Sequence, residues 1–217
     1  EAVLAALADE TGATRIHALR HYEPWWRKAE KAIAQAHDLV LHEGNYLVPP
    51  GALKTGSGRP YKVFTPFWHA LRDVMPPSAP LVAPEHIEAP EQWPQSDRLA
   101  DWALLPTSPD WAGDFATEWT PGEEGAAARL EAFEDHAAAY DEARNLPSIE
   151  GCSRLSPHLH FGEISPATIW HRLARRDGAT DPYRRELAWR DYAQNVILQI
   201  SDYGSRNGRA QFDAFPW

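Results

Sequence analysis

The sequence has one cysteine, Cys152, and one methionine, Met75, in 217 residues. A lone thiol excludes a disulfide framework and any zinc module built from paired cysteines. No apolar run approaches the roughly 18 residues needed to span a bilayer, so a soluble chain is expected. No signal peptide is legible ahead of the helix-like residues 2–10, and the expectation is a cytoplasmic protein. Positive charge is scarce: 21 Lys and Arg stand against 31 Asp and Glu, a net charge of −10. That balance disfavours a diffusely basic nucleic-acid binder, although binding depends on a focused patch rather than on the total. Arg172, Arg175, Arg176, Arg184, Arg185 and Arg190 do gather late in the chain. A 43% hydrophobic and 24% charged composition argues against disorder. Tryptophan is plentiful, with ten, and so is proline, with 19. Ten indoles suit core packing, ligand stacking or redox chemistry, and composition does not choose among these.

The pattern divides the chain into three parts. Val3, Leu4 and Leu7 recur at helical spacing before a stop at Thr11-Gly12. Residues 14–19 alternate as a strand does. Pro24 opens a helix expected over 25–37, at a first turn where its missing N–H costs little, and 38–42 reads as a second strand. Strand, helix and strand with short connections predict parallel pairing and an α/β layer over residues 1–74, incomplete as a sheet by its strand count. In residues 75–121 prolines recur with Trp93, Trp102, Trp111 and Trp119 between them. This reads as a connector wrapped over a surface, its indoles packed against it. Residues 122–217 read as mainly α. One helix is expected over 123–144, rich in Ala, Glu and Leu. Ser165-Pro166 and Asp181-Pro182 each pair an N-cap with proline at the first helical position, the second helix reaching Ile200.

Two segments offer chemistry. Glu186, Trp189 and Arg190 fall at i, i+3 and i+4 of the last helix, with Tyr183 one turn before and Ala193 one turn after. A carboxylate, an aromatic plate and a guanidinium on one stripe suit an aromatic or anionic ligand. Spacing alone favours a core tryptophan beside an ordinary surface ion pair. Residues 151–162 (GCSRLSPHLHFG) bring hydroxyls, backbone N–H groups and Arg154 together, as a phosphate requires. A helix N-terminus capped by Ser153 is an equally good reading, and the glycine spacing fits neither a Walker loop nor a dinucleotide fingerprint. His158 and His160 diverge on a helix and lack a third ligand, so no metal is expected. Cys152 beside a histidine lacks the third member of a thiol-protease triad, and residues 56–60 (GSGRP) read as a simple turn. No general acid/base pair stands out, so any chemistry is expected to belong to a cofactor.

Residues 61–71 (YKVFTPFWHAL), 150–166 (EGCSRLSPHLHFGEISP) and 186–192 (ELAWRDY) together resemble the DNA photolyase/cryptochrome family, in the order and spacing of its signatures. The likeness spans essentially the whole chain and is to cyclobutane-dimer photolyases of class I. It implies part of a Rossmann-like α/β antenna domain (1–74), a connector (75–121) and part of an all-α FAD-binding domain (122–217). It also implies an internal piece of a longer protein, which alone neither retains FAD firmly nor repairs DNA. Residue by residue, Tyr140, Cys152, Ser153, Arg154, Leu155, Ser156, Tyr183 and Arg190 match positions that hold FAD. Arg144 matches a position that contacts DNA, and Glu186 and Trp189 match positions at the lesion, which reverses the preference for a structural role at the 186–190 stripe. Cys152 replaces the usual threonine, and a thiol donates a weaker hydrogen bond. No catalytic side chain is carried over. Trp25 and Trp26 follow Tyr22-Glu23 where folate-binding members have a polar pair, so the antenna chromophore is folate, deazaflavin or none. The implied activity is light-dependent repair of cyclobutane pyrimidine dimers by an electron from reduced FAD, acting on a dimer flipped out of the duplex. A monomer is expected. A cryptochrome-type photoreceptor and a 6-4 photolyase are the alternatives, and Glu186 with Trp189 favours repair.

Overall fold

The computed structural model describes residues 2–175 and 180–216; Arg176, in the late basic group, lies outside them. Helix α1 (Ala2–Thr11) leads into strand β1 (Ile16–Leu19), helix α2 (Pro24–Ala36) and strand β2 (Leu39–His42). The strands pair in parallel, Ile16 opposite Leu39 and Leu19 opposite His42. Pro24 stands in the first turn of α2 as the pattern predicted, and Ile16, Leu19, Leu39, Val40 and Leu41 are the β-branched or long apolar residues of the two strands, with His17 and His42 among them.

The GSGRP stretch is a turn, closed by Thr55 N–H on the Arg59 carbonyl at 2.8 Å. Helix α3 (Phe64–Asp73) follows and buries Phe64, Phe67, Trp68 and Leu71. Their spacing of three and four residues makes one apolar stripe, which packs on the helical half of the chain.

Residues 75–121 contain one short 3₁₀ turn and the single-turn helix α4 (Phe115–Glu118). The expectation that their indoles pack down is not met: Trp93, Trp102 and Trp111 are exposed. Proline at this density removes the N–H groups that would tie the segment to a neighbour. Trp119 does find a partner, Arg154.

The helical half comprises α5 (Glu123–Glu134), α6 (Tyr140–Ala143), α7 (Ser156–Phe161), α8 (Pro166–Ala174) and α9 (Asp181–Ile197). The single helix expected over 123–144 is broken at Asp135–His136. There i→i+3 bonds replace i→i+4 bonds, from His136 N–H to Phe133 and from Ala139 N–H to His136. Ser165 caps α8 as expected, its Oγ accepting from Thr168 N–H at 3.0 Å. Asp181 does not cap α9: Thr180 holds that position, Asp181 is the first helical residue, and the helix ends at Ile197 rather than Ile200. Phe67, Leu71, Leu130, Leu155, Ile169 and Leu173 form the innermost layer, drawn from both halves of the chain. No helix among the described residues is long and apolar enough to cross a membrane.

Candidate cofactor cavity

Helix α9 reaches across the junction and grips the loop after β2. Asp191 Oδ2 accepts from the N–H groups of Leu47 at 2.8 Å and Val48 at 3.2 Å. Asn195 Oδ1 accepts from Gly51 N–H at 2.7 Å. Arg190 donates to the carbonyl oxygen of Asn45, to Asn45 Oδ1 at 2.6 Å and to the Leu159 carbonyl at 3.3 Å. Its guanidinium lies over the Tyr46 ring, 4.9 Å from the centroid. Burial draws this guanidinium below its usual pKa, though arginine stays charged.

Below this junction a cavity of about 850 Å³ opens, within the range of small-molecule sites. Tyr140, Cys152, Ser153, Arg154, Ser156, Tyr183, Glu186 and Arg190 all line it. Leu155 does not: its side chain is fully buried and backs the wall. Tyr140, Tyr183 and Phe133 form an aromatic cluster, with Tyr140 and Tyr183 edge to face at 5.0 Å and Phe133 4.5 Å from Tyr183. Burial pushes the Tyr183 phenol up to about 12, so it stays a neutral donor.

Ser153 does not cap a helix. Helix α7 begins at Ser156 with Leu155 in the cap position. The Ser153 hydroxyl instead accepts from the Tyr183 hydroxyl at 2.8 Å and from Leu155 N–H at 3.2 Å. With both lone pairs engaged, its own proton is left to donate, and a donor at a cavity wall suits an anion. Arg154 takes a left-handed backbone conformation, φ 55°, which side-chain-bearing residues adopt rarely. Its guanidinium sits 4.7 Å from the Trp119 centroid and bonds Glu118 at 3.0 Å. A phosphate reaching Arg154 would share it with that carboxylate. Two guanidinium groups, spare hydroxyl donors and aromatic walls therefore fit a ligand that joins a diphosphate to a flat ring, as FAD does.

The 186–190 stripe splits in two. Arg190 turns inward, while Trp189 turns to the rim and stacks on Phe64, centroids 3.7 Å apart at 9°. Trp189 remains 44% exposed, leaving a face open to solvent. Glu186 lies between, in an ion pair with Arg144, which itself lies 5.2 Å from the Tyr140 centroid. Hydrogen bonding to Glu186 raises the pKa of Arg144. Arg144, Arg185, Glu186 and Trp189 line a smaller recess of about 340 Å³ beside the main cavity. The late arginines otherwise serve the protein: Arg172 pairs with Glu134, and Arg184 lies over Trp170.

The sequence reading missed Asn45, Tyr46, His21 and Glu23, which also line the cavity. Asn45 meets Arg190 across 145 positions, with no local motif to mark it. Trp26 was weighed only as an antenna residue and His160 only as a metal ligand, yet both line this wall. His158 faces elsewhere, its buried ring 2.5 Å from Glu163.

A short parallel α/β layer thus stands against a helical half, with an aromatic-walled cavity carrying guanidinium and hydroxyl donors at their junction. The sequence model of the DNA photolyase family matches residues 1–89. Over its full length the chain is 41% identical to the deoxyribodipyrimidine photo-lyase of Agrobacterium fabrum strain C58, covering 48% of that protein. It superposes on the crystal structure of a bacterial class III photolyase from Agrobacterium tumefaciens with TM-score 0.93 and 40% identity, covering 100% of this chain and 47% of the other. A cryptochrome of Synechocystis sp. PCC6803 shares the fold at TM-score 0.62 and 21% identity, over 91% of this chain and 44% of its own. The chain belongs to the DNA photolyase/cryptochrome family. It spans about half the length of these relatives, and the solved relative at 40% identity is of class III, where the motifs alone resembled class I.

Proposed function

We propose that this chain serves the light-dependent repair of cyclobutane pyrimidine dimers in DNA, the deoxyribodipyrimidine photo-lyase reaction, with FAD held in the cavity. One observation carries the reading: seven residues matched to FAD-holding positions line a single cavity, and the eighth backs its wall. Reduced FAD supplies the light-driven electron for this chemistry. The chain supplies the rest. Ser153, Ser156 and Arg154 receive the phosphates, while the Tyr140–Tyr183 cluster walls the pocket against water. At the rim, Glu186 offers a carboxylate to the polar edge of a flipped-out base and Trp189 offers a plate to its face. Arg144 neutralises Glu186 until then and stands where a DNA phosphate would pass. This lesion-side recess favours repair over a cryptochrome-type sensor, which has no use for it. In this reading residues 1–74 belong to an antenna domain, 75–121 to its connector and 122–217 to the cofactor domain.

The test is to purify the protein at its natural length, saturate it with FAD, remove free cofactor and record the visible spectrum. Blue light is then applied in the presence of a thymine-dimer oligonucleotide. A retained flavin band and loss of the dimer are expected. A protein that takes up no flavin, or holds flavin and leaves the dimer intact, overturns the reading.

A further inference from the structure

Asp191 has no exposed surface, and among the described residues no cation lies within ion-pair distance of it. Its neighbour Arg190 gives its hydrogen bonds to Asn45 and Leu159 and none to Asp191. One carboxyl oxygen takes the Leu47 and Val48 N–H groups, and the other, Oδ1, has no hydrogen-bond partner. Burying a carboxyl in this way is among the more expensive choices a core position offers. Packing alone does not explain it, because an apolar side chain would fill the space without that cost.

What the position provides is geometric. Residues 43–53 form neither helix nor strand, so bonds from outside set their path. Asp191 holds Leu47 and Val48, and Asn195 holds Gly51 while donating to the Asp191 carbonyl at 2.9 Å. Immediately upstream, Asn45 and Tyr46 line the cavity and hold the Arg190 guanidinium from two sides.

We propose that Asp191 is a positioning residue of the cavity: its grip on Leu47 and Val48 keeps Asn45 and Tyr46 in the wall and thereby aims Arg190. The proposal rests on the flavin reading for its functional consequence, but the positioning is measurable in the cofactor-free protein. It also has a pH signature. Arg190 on the same helix and Tyr46 from the loop are the charged and titratable groups that face Asp191. Burial pushes the carboxyl up to about 7, well above an open, hydrated aspartate. Ionisation therefore favours the open loop, and the grip weakens as pH rises through neutrality.

The experiment compares wild type with Asp191→Ala, Asp191→Asn, Asn45→Ala and the Asp191→Ala/Asn45→Ala double variant, in the protein at its natural length. Amide exchange over residues 45–51 is expected to speed up roughly tenfold in Asp191→Ala while α3 keeps its protection. Flavin release is expected to quicken by a similar factor, about tenfold, and the double variant to release no faster than Asn45→Ala, because the two act in series. Asp191→Asn keeps an acceptor oxygen and is expected to rescue both readouts. It also removes the fall in protection factor (exchange corrected for its intrinsic base catalysis) and the rise in release that wild type shows between about pH 4 and pH 7. Unchanged exchange at 45–51 in Asp191→Ala, additive effects in the double variant, or a wild-type pH profile in Asp191→Asn would each overturn the proposal. Should Asp191→Ala not fold, the Asp191→Asn pH profile decides. A wild type that takes up no flavin overturns the functional reading, and the exchange arm then decides on Asp191 alone.

Discussion

Trp189 keeps one face on Phe64 and leaves the other free, which separates its packing role from its ligand role. Trp189→Ala is expected to weaken binding of dimer-containing DNA by about 1–3 kcal/mol, the value of an aromatic plate under a base. Flavin content should stay near wild type, because Trp189 lines the recess and not the main cavity. Titration of a fluorescent dimer oligonucleotide alongside the flavin absorbance checks both; flavin loss with unchanged DNA affinity would make Trp189 a core residue. Arg154→Ala is the complementary case. A hydrogen bond to a charged group contributes about 1.5–3 kcal/mol, so FAD affinity is expected to fall roughly 10–100-fold in equilibrium dialysis. An unchanged affinity would leave Arg154 only its tie to Glu118 and Trp119. At this scale the motif-bearing side of the cavity was legible in the sequence, since residues 152–156 and 183–190 are contiguous patterns. Asn45 and Tyr46 were not, because their meeting with Arg190 is made by tertiary packing and leaves no trace at either position.

Elements with local punctuation were read with few errors. Proline and Ser165 mark the start of α8, and the cap is present in full: Ser165 Oγ also lies 2.8 Å from Thr168 Oγ1. Ser165→Ala is expected to cost about 1 kcal/mol, seen as a lower urea midpoint at unchanged m-value. The break between α5 and α6 escaped notice because alanine serves α and 3₁₀ turns alike; packing of Phe133, Ala137 and Tyr140 decides between them. Downstream of that break, Gly151 holds the 152–156 segment against α6. A Cβ there would stand 2.4 Å from the Ala143 carbonyl carbon and oxygen, a clash with backbone that no rotamer relieves. Gly151→Ala is expected to cost about 1–3 kcal/mol and, by displacing Ser153 and Arg154, to lower flavin occupancy as well. A stable variant with full flavin occupancy would show that α6 yields. The connector was misread for a physical reason too: indoles were assigned a partner, while the prolines around them leave few ways to bind one.

Across the whole molecule, Asp191 writes a pH dependence into stability. Its folded pKa, about 7, lies above the ordinary 3.8, so the native state binds the extra proton. That stabilisation is full below the unfolded pKa and is lost as pH rises through about 7, on the order of 4 kcal/mol in all. Urea unfolding of wild type and Asp191→Asn at several pH values checks this: wild type should lose stability relative to the variant between about pH 4 and pH 7. A constant difference would show that Asp191 does not titrate in that window.

The same bonds set an order of events in time. Leu47 and Val48 leave the ribosome 144 and 143 residues before the carboxyl that receives them. At roughly 5–20 residues per second, their N–H groups wait about 7–30 s in water while the strands and α3 are already made. Among the parts built from residues 2–191 the cavity wall is therefore the last to assemble, and closing so long a loop keeps that step slow in refolding as well. A nascent chain stalled before Asp191 has its paired strands but nothing to hold Leu47 and Val48, so the wall that Asn45 and Tyr46 form stays unset until α9 has been made.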